Sequence, residues 1–205
     1  MMTQENLAEN IIEIYRQYGR QWTKLRGTYL YEKQWLDRFL ALLAQPAHVL
    51  DLGCGSGQPI AEYLIQQGCQ ITGVDSAEVM LEMAQIHFPE QQWIQADMRS
   101  FSPAQRFQGI LAWDSFFHLT RSDQRDMFAR FEQCSQTSTV LMFTSGPANG
   151  ESIGEMFGKP LYHASLAPEE YRSLLHQYGF QLIHMLAEDV DCTGHTVWLV
   201  QYIRA

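Results

Sequence analysis

Four aspartates set the chemistry open to this chain: Asp51, Asp75, Asp97 and Asp114. Each sits at the end of an apolar run that reads as a short strand, over 47–51, 69–74, 92–95 and 107–113. In an open parallel sheet, ligands bind outside the carboxyl ends of the strands, so the four carboxylates should converge on one rim. Between the first two lies the stretch His48 to Pro59, HVLDLGCGSGQP, with glycines at 53, 55 and 57. Glycine has no side chain to block a ligand and tolerates positive φ. Asp75 follows Gly53 by 22 residues. At that spacing a carboxylate reaches the ribose hydroxyls of a ligand lying on such a turn.

The same stretch narrows the ligand. A dinucleotide fingerprint, G-x-G-x-x-G, would need glycine at 58, where this chain has Gln58. Asp51 would repel a pyrophosphate. It suits a ligand that carries an ammonium group and a sulfonium, as S-adenosylmethionine does. Here the chain resembles the class I S-adenosylmethionine-dependent methyltransferases, whose first motif reads like Leu50-Asp51-Leu52-Gly53-Cys54-Gly55-Ser56-Gly57. The resemblance spans roughly residues 30–205. It implies S-adenosyl-L-methionine as cofactor, with Asp51, Gly53, Cys54, Gly55 and Gly57 around the methionine end and Asp75 on the ribose. Ser76 and Met80 would border the adenosine, and Asp97 with Met98 would meet the adenine.

In that family, donor and acceptor meet at the fourth strand end, here Trp113-Asp114-Ser115-Phe116-Phe117-His118. Trp113 is expected beside the cofactor, and Asp114 with His118 is the expected catalytic pair. A histidine there can act as a base near neutral pH. Methyl transfer asks mainly that the acceptor be held close and in line. Arg26, near Trp22 in the N-terminal segment, is the candidate partner for the ligand's carboxylate, which the aspartates leave unpaired. Tyr162 and His163 could close over substrate from a long loop. No metal is expected: Asp189, Asp191, Cys192 and His195 flank a turn and lack a recognised ligand spacing.

Composition bounds the partners. The 205 residues are 46% hydrophobic and 18% charged, with a formal net charge of −9, enough for one well-packed domain without a basic face. Nucleic-acid binding leans on phosphate contacts, so a small-molecule substrate is expected instead. Four scattered cysteines, at 54, 69, 134 and 192, read as reduced thiols. With no signal-peptide pattern and no apolar run long enough for a membrane span, the expected setting is cytoplasmic. The oligomeric state stays open. Two rival readings remain: an NAD-dependent oxidoreductase, and a non-catalytic S-adenosylmethionine-binding module.

These residues need a scaffold. Apolar spacing predicts a helix over 4–18 stopped by Gly19, and a second over 30–44. Together, 1–45 should form a helical cover, and 46–205 a Rossmann-like domain within one structural unit. Helices are expected over 58–67, from Ser76 as N-cap to His87, from Thr120 to Cys134, and from Pro168 to about Tyr178. A fifth strand is expected over 139–144 and a terminal hairpin over 180–187 and 196–203, while 145–167 reads as a long loop. The fold class is therefore α/β: a doubly wound, mostly parallel sheet, seven-stranded with an antiparallel last strand on the family's pattern.

Overall fold

The structure, a computed structural model, describes residues 4–204. Its centre is a seven-stranded sheet with order β3-β2-β1-β4-β5-β9-β8. The strands are β1 (His48–Leu52), β2 (Gln70–Asp75), β3 (Gln92–Gln95), β4 (Phe107–Ala112), β5 (Ser135–Ser145), β8 (Phe180–Asp189) and β9 (His195–Tyr202). β1 to β5 pair in parallel, and β9 runs antiparallel to both of its neighbours. The chain winds outward from β1 to β3, then returns to lay β4 on the other side of β1. That reversal opens a crevice beyond the ends of β1 and β4.

Alternation along the strands explains the two layers. Leu50, Leu141 and Phe143 face one side, packing with Phe116, Phe128, Phe131, Tyr171 and Trp198. Val49, Val140 and Met142 face the other, against Trp35, Leu36 and Phe39. Successive strand side chains point to opposite faces, so strands buried on both faces read as continuous apolar runs. The helices that supply the cover are α2 (Lys33–Ala41), α3 (Ile60–Gln66), α4 (Glu78–His87), α5 (Arg121–Cys134) and α6 (Pro168–Gln177). Among the described residues, no helix is long and apolar enough to cross a membrane.

Five features depart from expectation. The first helix, α1 (Gln4–Arg26), runs straight through Gly19. A Cβ there would lie 3.0 Å from Val79 Cγ1 and 3.2 Å from Met80 Sδ, so this glycine serves close helix–helix approach to α4 rather than a stop. The second helix is shorter than predicted, and β5 begins four residues early, straight out of α5. The segment 145–167 is not a loop but holds a hairpin, β6 (Gly150–Met156) and β7 (Lys159–Ser165). Its turn is Phe157-Gly158, with φ of 51° and 76°, the positive pair that a two-residue hairpin turn needs. Ser76 does not cap α4; Ala77 holds that place, and its N–H donates to Asp75 Oδ1 at 2.8 Å.

Thr120 does cap α5, its Oγ1 accepting from Asp123 N at 3.1 Å. Thr120→Ala should lower unfolding free energy by about 1 kcal/mol in urea titrations, since the Asp123 N–H loses its partner.

Candidate active site

The crevice at the ends of β1 and β4 is a cavity of about 170 Å³. The glycine turn forms its floor. Gly53 N and Cys54 N both donate to Val74 O, at 2.7 and 3.1 Å, which pins the turn to the end of β2. Gly53 has no space to spare: a Cβ there would lie 2.3 Å from Ser115 Cβ. Gly55 is the opposite. Its φ is +55° and a Cβ would meet nothing within 4 Å, because the position faces the open cavity.

Every residue expected at the cofactor borders this one cavity: Asp51, Gly53, Cys54, Gly55, Gly57, Asp75, Ser76, Met80, Asp97, Met98, Trp113 and Arg26. So do Asp114 and His118. The detailed partners differ from expectation in several places.

Asp51 is 4% exposed. Burial, and then the charge of Asp75, push its carboxyl up to about 7, and nothing among the described residues pulls it back. A buried acid beside a half-buried one, without a protein cation, forms a receptor for a cation. Asp75 is held in place by backbone donors, Gly55 N to Oδ2 at 2.9 Å and Ala77 N to Oδ1. Burial still leaves its carboxyl raised, with those donors opposing the shift. Each carboxylate oxygen keeps a lone pair for a further donor.

Asp97 is bound by Arg99, with Nη2 to Oδ2 at 2.6 Å and Nε to both oxygens at 3.0 Å. Burial would raise its carboxyl, but Arg99 outweighs burial and holds it below the usual range. Asp97 therefore meets the cavity as an ion pair with Arg99 rather than as a free carboxylate. Arg26 is committed too. Its Nη2 reaches Glu32 Oε1 at 2.5 Å, its Nη1 donates to Tyr29 O at 2.9 Å, and it lies 4.2 Å over the Tyr31 ring. Ser76 Oγ donates to Ala96 O at 3.2 Å.

Asp114 and His118, the expected catalytic residues, each hydrogen-bond to other groups. His118 Nδ1 lies 2.8 Å from Tyr162 O, a carbonyl that can only accept, so Nδ1 carries the proton. Nε2 then accepts from the Tyr15 hydroxyl at 3.1 Å. Burial depresses the imidazole to about 4, against the raising effect of the Tyr162 carbonyl. A neutral histidine with both nitrogens engaged is not a ready base near pH 7. Asp114 instead pairs with His195, Oδ1 to Nε2 at 2.7 Å, and receives the Tyr31 hydroxyl on Oδ2 at 3.4 Å. His195 Nδ1 faces Cys192 O at 2.7 Å. Both ring nitrogens thus face oxygens that accept, which favours imidazolium. Burial alone would lower this histidine, but Asp114 outweighs it and the net shift is upward. Asp114 sits at φ 49° with its N–H donated to Thr144 Oγ1 at 2.9 Å. A non-glycine residue in the left-handed region is costly, and such strain gathers at functional sites.

His195 was visible in the sequence only as one of four turn residues set aside as a metal cluster. It reaches Asp114 because β9 starts at the same rim where β4 ends. Among the described residues, no three His, Cys, Asp or Glu side chains converge as a metal site. Tyr162, expected as a lid residue, is buried beneath α1 with Ile11 and Ala164. His163 lies beside His118 and Phe117, at ring separations of 4.8 and 5.3 Å.

Comparison with known proteins fits this geometry. A family model described as a methyltransferase domain matches residues 49–137. The chain is 47% identical over 64 residues to trans-aconitate 2-methyltransferase of Delftia acidovorans, covering 30% of this chain and 24% of that protein. It is 36% identical over 91 residues to the protein of that name from Enterobacter sp., covering 44% and 33%. The chain thus spans about a quarter to a third of the length of these curated relatives. Among solved structures it is similar to 1,6-didemethyltoxoflavin-N1-methyltransferase of Burkholderia thailandensis, with bound S-adenosylhomocysteine, at TM-score 0.75 and 15% identity over 100% of this chain and 92% of that one. Magnesium protoporphyrin IX methyltransferase of Synechocystis PCC 6803, with bound S-adenosylmethionine, gives TM-score 0.74 and 14% identity over 98% of both.

Proposed function

We propose that this chain, a member of the class I S-adenosylmethionine-dependent methyltransferases, binds that cofactor in the cavity and transfers its methyl group to a small-molecule acceptor. The observation that carries the reading is the floor of the cavity: an open Gly55 between buried Asp51 and half-buried Asp75, two acids that pair with no protein cation. Those residues fit the group. Asp51 and Asp75 would receive its ammonium and ribose hydroxyls, and Met80 and Met98 would flank its base. The guanidinium N–H groups of Arg26 that Glu32 and Tyr29 leave over would receive its carboxylate. When bound, the cofactor supplies a methyl group activated by its sulfonium.

The chain's own residues do the rest. Tyr15, Trp113 and Asp114 line the acceptor side, exclude water and hold the acceptor close, which can supply much of the acceleration. Asp114 is the group we assign to take a proton from an acceptor that must lose one, with His195 balancing its charge. His118 is a positioning residue: it fixes the Tyr15 hydroxyl and ties α1 to β7 through the Tyr162 carbonyl. We assign α1 and α2 as the cover over the cavity, with 46–205 as the domain beneath it. The net charge of −9 and the acid-lined cavity support a small molecule over a nucleic acid. A reduced, cytoplasmic setting fits the four free cysteines.

The test is a screen of metabolites for turnover to S-adenosylhomocysteine, run beside an Asp75→Ala variant. That variant should weaken S-adenosylhomocysteine binding by roughly 1.5–3 kcal/mol, about 10- to 150-fold, through loss of charge-assisted hydrogen bonds. Unchanged affinity in a folded Asp75→Ala protein would place the ligand elsewhere.

A further inference from the structure

Resting on that reading, we infer that His195 is a positioning residue for the reaction: its ring N–H aims the Asp114 carboxylate into the cavity, and the aim is lost when the ring becomes neutral.

The first support is where the two ring nitrogens point. Nε2 lies 2.7 Å from Asp114 Oδ1, while Nδ1 lies 2.7 Å from Cys192 O and 2.8 Å from Thr193 Oγ1. A backbone carbonyl can only accept, so Nδ1 carries a proton, and the Thr193 hydroxyl can accept beside it. The contact on the other side then needs a second proton, between Nε2 and the carboxylate. With that proton gone, two lone pairs would face each other across the same gap, and the contact would open.

The second support is that the surroundings hold this one geometry. The His195 ring is sandwiched between Trp113, at a ring separation of 5.7 Å and 25° from parallel, and Tyr31, at 5.8 Å and 26°. A cation between two aromatic faces is attracted by both. Asp114 is fixed through its own backbone, with its N–H on Thr144 Oγ1 and φ at 49°. His195 takes Oδ1, and Oδ2, 3.4 Å from the Tyr31 hydroxyl, keeps a lone pair for a donor in the cavity.

The third support is position. Trp113 and Asp114 border the cavity and His195 does not. It touches both of those side chains from behind, one by stacking and one by hydrogen bond, so it acts through them. The other charged or titratable groups around the ring are few. Glu32 favours its cationic form, and Asp189 is its strand partner on β8. Arg26 opposes from the far face of Tyr31. Burial raises the Tyr31 hydroxyl and the Cys192 thiol, so both stay neutral at ordinary pH.

The experiment uses the whole chain. Calorimetry with S-adenosylhomocysteine at pH 7 comes first, and failure there removes the cofactor reading itself. The second probe is sinefungin, a cofactor analogue with an amino group where the cofactor carries its methyl group. Wild type should bind sinefungin about tenfold tighter than S-adenosylhomocysteine, and Asp114→Asn should lose most of that preference. His195→Phe keeps the stack without a donor and should lose most of it too. His195→Gln keeps an N–H on a side chain that does not titrate. It should retain the preference at pH 7, and between pH 7 and pH 9 its preference should fall less than that of wild type, which separates His195 from the probe's own amine. Nitrogen-15 NMR of the His195 ring adds a readout that needs no change at this position. The ring should titrate above the ordinary histidine value in wild type and closer to it in Asp114→Asn. Equal affinity for the two probes in wild type, an unchanged preference in folded His195→Phe, the same fall with pH in His195→Gln as in wild type, or a ring already neutral at pH 7 would each overturn the proposal and leave the cofactor reading standing.

Discussion

Gly55→Val should abolish S-adenosylhomocysteine binding, weakening it by more than about 100-fold, in a protein that still unfolds cooperatively. The expectation follows from what surrounds the position. A Cβ at Gly55 meets no protein atom within 4 Å, so nothing in the fold itself is displaced. What a branched side chain fills is the space above the glycine turn, between Asp51 and Asp75. The substitution also forces a β-branched residue to φ +55°, at a cost on the order of 1–2 kcal/mol. Gly68→Val supplies the control. Gly68 has φ +87° and the same open surroundings, but it ends α3 away from the cavity. Both variants should lose comparable stability by urea denaturation, and Gly55→Val alone should lose the ligand. Normal binding by Gly55→Val would refute the close approach.

The ligand-free chain should grow less stable, relative to an Asp51→Asn variant, as pH rises from about 4 to about 7. The sign follows from the shift. Asp51 is pushed up to about 7 in the folded chain, against about 3.9 unfolded. The fold therefore holds the proton that the unfolded chain releases, and that advantage disappears as pH passes 7. Three units correspond to roughly 4 kcal/mol as an upper value. His118, depressed by burial, acts with the opposite sign, since the fold loses stability as pH falls below the unfolded histidine value of about 6.5. The difference between wild type and Asp51→Asn isolates the aspartate. Urea midpoints at pH 5 and pH 8 measure it: the variant should gain on wild type at pH 8. A cationic ligand should offset the penalty and bind wild type more tightly above pH 7. Parallel stability curves for the two proteins would mean that Asp51 is not raised.

Much of this architecture is legible in the chain itself. Strand ends marked by aspartate, with glycines just after the first, follow from general rules about open parallel sheets, and they locate the cavity before any coordinates. Strands buried on both faces announce themselves as apolar runs. What misleads is local punctuation with a tertiary purpose. Gly19 looks like a stop because glycine is a poor helix former, yet it is retained where α1 crosses Val79 and Met80. The β6–β7 hairpin hides because Gly154 and Pro160 interrupt its alternation, though the Phe157-Gly158 pair was a usable turn signal.

Partner choice at the rim was the least legible. Proximity in sequence suggested His118 for Asp114, four residues away, whereas the partner is His195, 81 residues on. Strand β9 returning antiparallel beside β5 brings it there. In the same way Arg26 looks available as sequence, and only the folded chain shows Glu32 waiting for it.

The central claim is that the glycine turn and its two acids hold S-adenosylmethionine. Isothermal calorimetry of the intact chain with S-adenosylhomocysteine, and in parallel with NAD, tests it most directly. One-to-one saturable binding of S-adenosylhomocysteine with no measurable NAD heat is the predicted result. Tight NAD binding with no response to S-adenosylhomocysteine would contradict it.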